Sequence, residues 1–70
     1  MQRTPVSSSN LASVGYEPST GVLEIQFRSR SIYQYFNVPT SAYQGLMAAR
    51  SKGSYHAHFI LGRYRYKRLA

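Results

Sequence analysis

The chain changes its hydrophobic period once, at Pro39, and that change limits the folds open to it. Before Pro39, apolar and polar residues alternate along two runs, Asn10 to Tyr16 and Val22 to Arg28, the period-two pattern of strands with one buried face. Between them lies "EPSTG", where Pro18 suits the second position of a turn and Gly21 its exit, so the two runs predict a hairpin. After "RSRS" comes Ser31 to Asn37, rich in the aromatic and β-branched residues that strands favour. Beyond Pro39 the period is helical. Thr40 or Ser41 can cap a helix, Gln44 stands in capping-box position to Ser41, and Tyr43, Leu46, Met47 and Arg50 share one stripe that ends at Gly53. Gly45 inside this helix costs roughly 1 kcal/mol of propensity relative to Ala and implies close approach of the helix to a strand. A second short helical turn is predicted from Tyr55 to Leu61, before Gly62, and the tail "RYRYKRL" alternates as an extended segment would. The predicted architecture is α+β: a three-stranded antiparallel meander with one helix on its apolar face, a short second helix and an extended C-terminal tail.

Length restricts what such a fold can enclose. With 70 residues, only about 60% of the chain's surface can be buried, enough for one small core. Residues 10–70 are read as a single domain after a flexible polar lead at 1–9, which holds Ser7, Ser8 and Ser9. There is no cysteine to supply disulfides or thiolate ligands, and little interior remains for an enclosed small-molecule site. No apolar run is long enough for a membrane span and the opening "MQRTPVSSSN" lacks the apolar core of a signal peptide, so a cytoplasmic protein without a membrane partner is expected.

The stretch "SIYQYFNVP" at residues 31–39 poses the main structural question, which is the direction its two tyrosines face. A four-residue "PSTG" loop pairs Tyr16 with Leu23 and Val14 with Ile25. A two-residue Ser29-Arg30 loop pairs Phe27 with Ile32, Ile25 with Gln34 and Leu23 with Phe36, so that Ile32 and Phe36 face the helix while Tyr33 and Tyr35 face outward. A three-residue loop would bury the tyrosines instead. Tyrosine tolerates a wet face better than isoleucine or phenylalanine, which favours the outward reading.

Catalysis finds few parts in this chain. Acid-base or nucleophilic chemistry needs converging polar groups, whereas the carboxylates are Glu17 and Glu24 alone; no enzymatic role, cofactor or metal is expected. His56 and His58 are two residues apart, on different sides of a helix, with no further ligand near in sequence, and are read as surface or cap histidines.

Charge is the strongest functional signal. The net charge is +7, and both acids precede Ile25, so Arg28, Arg30, Arg50, Lys52, Arg63, Arg65, Lys67 and Arg68 have no carboxylate among them. Such a one-signed field attracts polyanions, although it can also serve solubility alone. Single strands are held by bases stacking on aromatic rings while cations follow the phosphates, and the chain interleaves both. Tyr33 and Tyr35 on the outer sheet face, Arg28 beside them, and Arg63, Tyr64, Arg65, Tyr66, Lys67 and Arg68 in the tail form the candidate nucleic-acid surface. In an extended tail, Arg63, Arg65 and Lys67 point to one side and Tyr64 and Tyr66 to the other. An interaction module for a partner with an acidic protein surface is the alternative, since Tyr and Arg are also favoured at protein interfaces.

Four segments, "VSSSNLASVGY", "YQYFNVP", "YQGLMAARSKGSY" and "GRYRYKRL", together resemble the KTSC domain over nearly the whole chain. That family is named for its occurrence at the C-terminus of some lysyl-tRNA synthetases and is found also as a free-standing small bacterial protein. The central Tyr-x-Tyr and the Ser-Lys-Gly-x-Tyr junction are its most specific marks. Leu61 and Ala57 depart from the pattern, in which a basic residue and Asn are common at these places. The resemblance implies RNA, single-stranded or tRNA, as the polyanion in preference to duplex DNA, for which no recognition helix is evident. The expected function is weak, sequence-tolerant binding of single-stranded RNA.

Overall fold

Five antiparallel strands form one sheet in the order β1-β2-β3-β4-β5, with helices packed on one face; the computed structural model describes residues 1–70. The strands are β1 (Thr4–Pro5), β2 (Leu11–Glu17), β3 (Val22–Phe27), β4 (Ile32–Tyr35) and β5 (Tyr66–Arg68). Helix α1 (Thr40–Ala48) is followed by α2 (Lys52–Tyr55), which runs directly into a π turn, His56–Ile60. No helix is long and apolar enough to cross a membrane.

The three-stranded meander is therefore corrected to five strands. The central hairpins would leave the outer backbone groups of β2 and β4 unpaired, and such groups need partners. The two ends of the chain supply them. Thr4 pairs with Val14 and Pro5 with Ser13, inside the segment read as a lead. Tyr66 pairs with Tyr35 and Arg68 with Tyr33, so part of the tail is a sheet strand.

The first hairpin has the register predicted, with Val14 opposite Ile25 and Tyr16 opposite Leu23. A bulge between Leu11 and Ser13 then turns Leu11, instead of Ala12, into the core. The second hairpin does not have the predicted register. Leu23 lies opposite Tyr35 and Ile25 opposite Tyr33, because the loop has three residues, Arg28, Ser29 and Arg30. It is closed by bonds from the Phe27 amide to the Ser31 carbonyl (2.9 Å) and from the Arg30 amide to the Phe27 carbonyl (2.9 Å). Arg30 takes the left-handed conformation, φ 76°, that the last residue of a three-residue hairpin loop adopts.

Gln34 explains why this register wins. In the two-residue register its amide would sit in the core, where an unpartnered polar group costs about 1 to 3 kcal/mol or more. In the observed register it lies on the outer face and donates to Glu24 at 2.9 Å. Tyr35 then enters the core at 1% exposure, while Ile32 and Phe36 move to the outer side, half-buried. The outward placement of Tyr33 and Tyr35 is thus overturned.

The core comprises Leu11, Val14, Leu23, Ile25 and Tyr35 from the sheet, Val38 from the loop, Leu46 from α1 and Ile60 from the π turn. Tyr16 stacks on Tyr43 with ring centroids 4.6 Å apart and donates to the Val38 carbonyl at 2.6 Å, fixing the start of α1 against β2. Neither Thr40 nor Ser41 caps α1; Pro39 occupies the cap position without a side-chain bond. The helix also ends before Gly53, and Ser51 caps α2 by accepting from the Ser54 amide. Gly45 marks a close approach, but to a helix: a Cβ there would overlap the Tyr55 ring.

Candidate functional site

Sequence position fixes the site through the second hairpin. The three-residue loop puts Phe27 and Tyr33 on the helix side of adjacent strands, edge to face with centroids 5.8 Å apart. The π turn then lays His56 against both β3 and β4, 5.1 Å from Phe27 and 5.6 Å from Tyr35 between ring centroids. A π turn adds one residue to a helical turn and often marks a functional position. Here its bond runs from the Leu61 amide to the His56 carbonyl at 2.8 Å.

These rings border an open cleft of about 390 Å³, which the β3–β4 loop and the chain before β2 complete with Asn10, Arg28, Ser29 and Ser31. No carboxylate lines it. Glu17 bonds locally to Ser19, and Glu24 is 5% exposed on the other sheet face, ion-paired with Arg3. Burial alone would raise the Glu24 carboxyl; hydrogen bonds from Gln34 and Arg3, the Arg3 charge and the terminal ammonium outweigh it, so the group sits below its usual value. The one charged side chain lining the cleft is consequently the cation Arg28. Arg28 Nε donates to the Ser8 carbonyl at 2.7 Å, which orients the guanidinium and leaves its other N–H groups available.

Behind the cleft, the Tyr35 hydroxyl and His56 Nε2 are 2.8 Å apart. Burial, reinforced by Tyr33 and Tyr66, pushes the phenol up to about 12, so it keeps its proton. Burial also pulls the His56 imidazole below its usual value. No other partner takes the Tyr35 proton, and no buried side-chain polar atom is left unpaired. Tyr35 therefore donates, Nε2 accepts, and the neutral ring carries its proton on Nδ1. The reading of His56 as a surface or cap histidine is corrected: it is half-buried and bonded to the core. His58 is exposed and its Nδ1 lies 2.9 Å from the Ser54 carbonyl.

The candidate residues separate into those at the cleft and those away from it. Arg28 and Tyr33 line it. Tyr66 packs on Tyr33 with centroids 5.7 Å apart yet stays 57% exposed, and the Arg68 guanidinium lies 5.9 Å from the centre of the Tyr33 ring. Tyr35 is buried behind them and offers no free face. Lys67 pairs with Gln34 and so projects to the opposite side of the sheet from Tyr66 and Arg68. Arg65 is exposed, with its carbonyl accepting from the Phe36 amide at 2.9 Å. Arg63 is exposed in the turn after Ile60, and Tyr64 packs half-buried against the core.

Sequence reasoning had not assigned Asn10, Ser29, Ser31 or His56 to a site, and had given Phe27 to the core. One signal for His56 was present: it stands four residues before the buried Ile60, so the two share a helical stripe.

The family model of the KTSC domain matches residues 7–64. A crystal structure of a KTSC domain protein from Yersinia pestis superposes with a TM-score of 0.95 at 45% identity, covering 99% of this chain and 97% of that one. An uncharacterised protein of Stutzerimonas stutzeri is 39% identical over 70 residues, 99% of each chain. A lysine–tRNA ligase of Nostoc sp. is 46% identical over 55 residues, 79% of this chain. The chain spans about 10% of that ligase's length.

Proposed function

The chain belongs to the KTSC domain family, and from that membership, together with the cleft, we propose that it is a non-catalytic module that binds single-stranded RNA weakly and without strong sequence preference. The observation that carries this reading is the strip of rings Phe27, Tyr33 and Tyr66 flanked by Arg28 and Arg68, beside a cleft that no carboxylate side chain lines. Exposed Tyr66 offers the stacking surface and Tyr33 supports it. Stacking contributes about 1 to 3 kcal/mol per base, and cations alongside follow the phosphates. The kinship with a segment of lysine–tRNA ligases supports RNA as the polyanion. In the cell such a module acts in the cytoplasm.

Fluorescence anisotropy of a labelled single-stranded RNA tests the proposal. If three or four phosphates are neutralised, at about −0.7 per phosphate, log K falls by roughly 2 to 3 for each tenfold rise in salt. Replacing Arg28 and Arg68 together with Ala should flatten that slope by about one unit or more. Tyr66→Ala should weaken binding with the slope unchanged, because stacking releases no counterions. Absence of binding at about 50 mM salt refutes the reading; binding indifferent to Tyr66 reduces it to a generic polycation.

A further inference from the structure

The cleft holds more polar donors than a stacking strip requires. Arg28 has one N–H committed to the Ser8 carbonyl, which fixes the plane of the guanidinium. Ser29 and Ser31 bring their hydroxyls within 3.1 Å of each other at the same rim. His56 uses Nε2 as acceptor for Tyr35, and its Nδ1–H has no partner within the protein. Since no buried side-chain polar atom lacks a bond, Nδ1 reaches solvent, and His56 is one of the residues that line the cleft. Arg28, His56, Ser29 and Ser31 thus line one cleft together with Phe27 and Tyr33. Donors of this kind suit phosphate oxygens, and bidentate Arg contacts strengthen such recognition. Ring walls suit a base.

We infer that this cleft is a site for one nucleotide unit, with the phosphate held between Arg28, the Ser29 and Ser31 hydroxyls and His56 Nδ1–H, and the base laid against Tyr33 and Phe27. The inference rests on the RNA reading and deepens it: of a bound strand, a single nucleotide is gripped and the remainder lies along Tyr66 and Arg68. A volume of about 390 Å³ falls at the small end of ligand sites, which fits one nucleotide and not a run of them. Arg28 acts by direction as well as charge, so lysine does not replace it.

The test is a titration of the whole protein, followed by amide and imidazole NMR shifts, with adenosine monophosphate, adenosine and inorganic phosphate as separate probes. The monophosphate should shift Arg28, Ser29, Ser31 and Tyr33 amides and the His56 Nδ1 resonance, with at least tenfold higher affinity than either adenosine or phosphate. R28K should lose at least tenfold of that affinity while the fold, read from the remaining amides, is unchanged. Cytidine monophosphate in place of adenosine monophosphate should bind within a few-fold. Equal affinity for phosphate and monophosphate would show an anion site without a base contact and overturn the inference, as would full retention by R28K. RNA binding by anisotropy with no cleft shifts from any mononucleotide overturns the nucleotide site alone and leaves the RNA reading standing. Monophosphate binding with no binding of the RNA strand removes the RNA reading and keeps the cleft assignment.

Discussion

Tyr35 carries two tasks that one ring can hardly separate. Its body fills the core at 1% exposure between β3 and β5, and its hydroxyl fixes the tautomer of His56 at the cleft. Removing the ring and removing the hydroxyl should therefore differ in kind. Tyr35→Ala is expected to cost about 3 to 5 kcal/mol, as for other large aromatic truncations, enough to unfold a domain of this size. Tyr35→Phe keeps the packing but leaves Nε2 without its donor, at about 1 to 2 kcal/mol. Chemical denaturation of both variants checks this. A Tyr35→Ala protein as stable as the parent would return the residue to the outer face and refute the three-residue register.

At the scale of elements, the junction of α1 and α2 is set by one missing side chain. Helix propensity alone says that Gly45→Ala should stabilise by about 1 kcal/mol. Contact says the reverse, since the added Cβ would run into the Tyr55 ring, whose own retreat is limited by Phe59 at a centroid distance of 4.8 Å. Overpacking of this kind costs about 1 to 3 kcal/mol, so the sign should be destabilising. In a Tyr55→Leu background the clash is gone and Ala at position 45 should recover the propensity gain. Thermal melts of the four proteins in this double-mutant cycle decide it, and a stabilising Gly45→Ala in the parent would show that α2 yields freely.

For the whole molecule, stability against pH follows from three buried or half-buried groups. Glu24 is held below its usual value, so its contribution is complete above the normal carboxylate range and lost as acid protonates the folded state. His56 is also depressed: below about 6.5 the unfolded chain takes up a proton that the folded chain refuses, and stability falls with falling pH. Tyr35, pushed up to about 12, works at the other end. Above about 10 the unfolded phenol ionises while the folded one does not, and stability is lost as pH rises. Melting temperature should therefore be flat from about 7 to 9.5, fall in two stages on acidification and fall again in strong base. His56→Gln should erase the first acid stage. A melting temperature that climbs between pH 7 and 5.5 would contradict the depressed imidazole.

Alternation along Asn10 to Tyr16 and Val22 to Arg28, apart from the bulge at Leu11, and the helical period after Pro39 were legible in the sequence, because each pattern is local and each period has one regular geometry that buries its apolar residues. The first hairpin was legible for the same reason, its Pro18 and Gly21 fixing both loop length and register. Basic charge free of acid after Glu24 was likewise a property of the sequence alone. The second hairpin was not. Its loop has no glycine or asparagine to announce the left-handed residue, and Arg30 adopts that conformation because Gln34 gains Glu24 and Tyr35 gains His56, partners 10 and 21 residues distant. The strands at the two ends needed edges that exist only once the central sheet is formed. The cleft depended on all of these at once, for a register shift of one residue moves every side chain of β4 to the other face and would take Tyr33 away from Phe27 and His56.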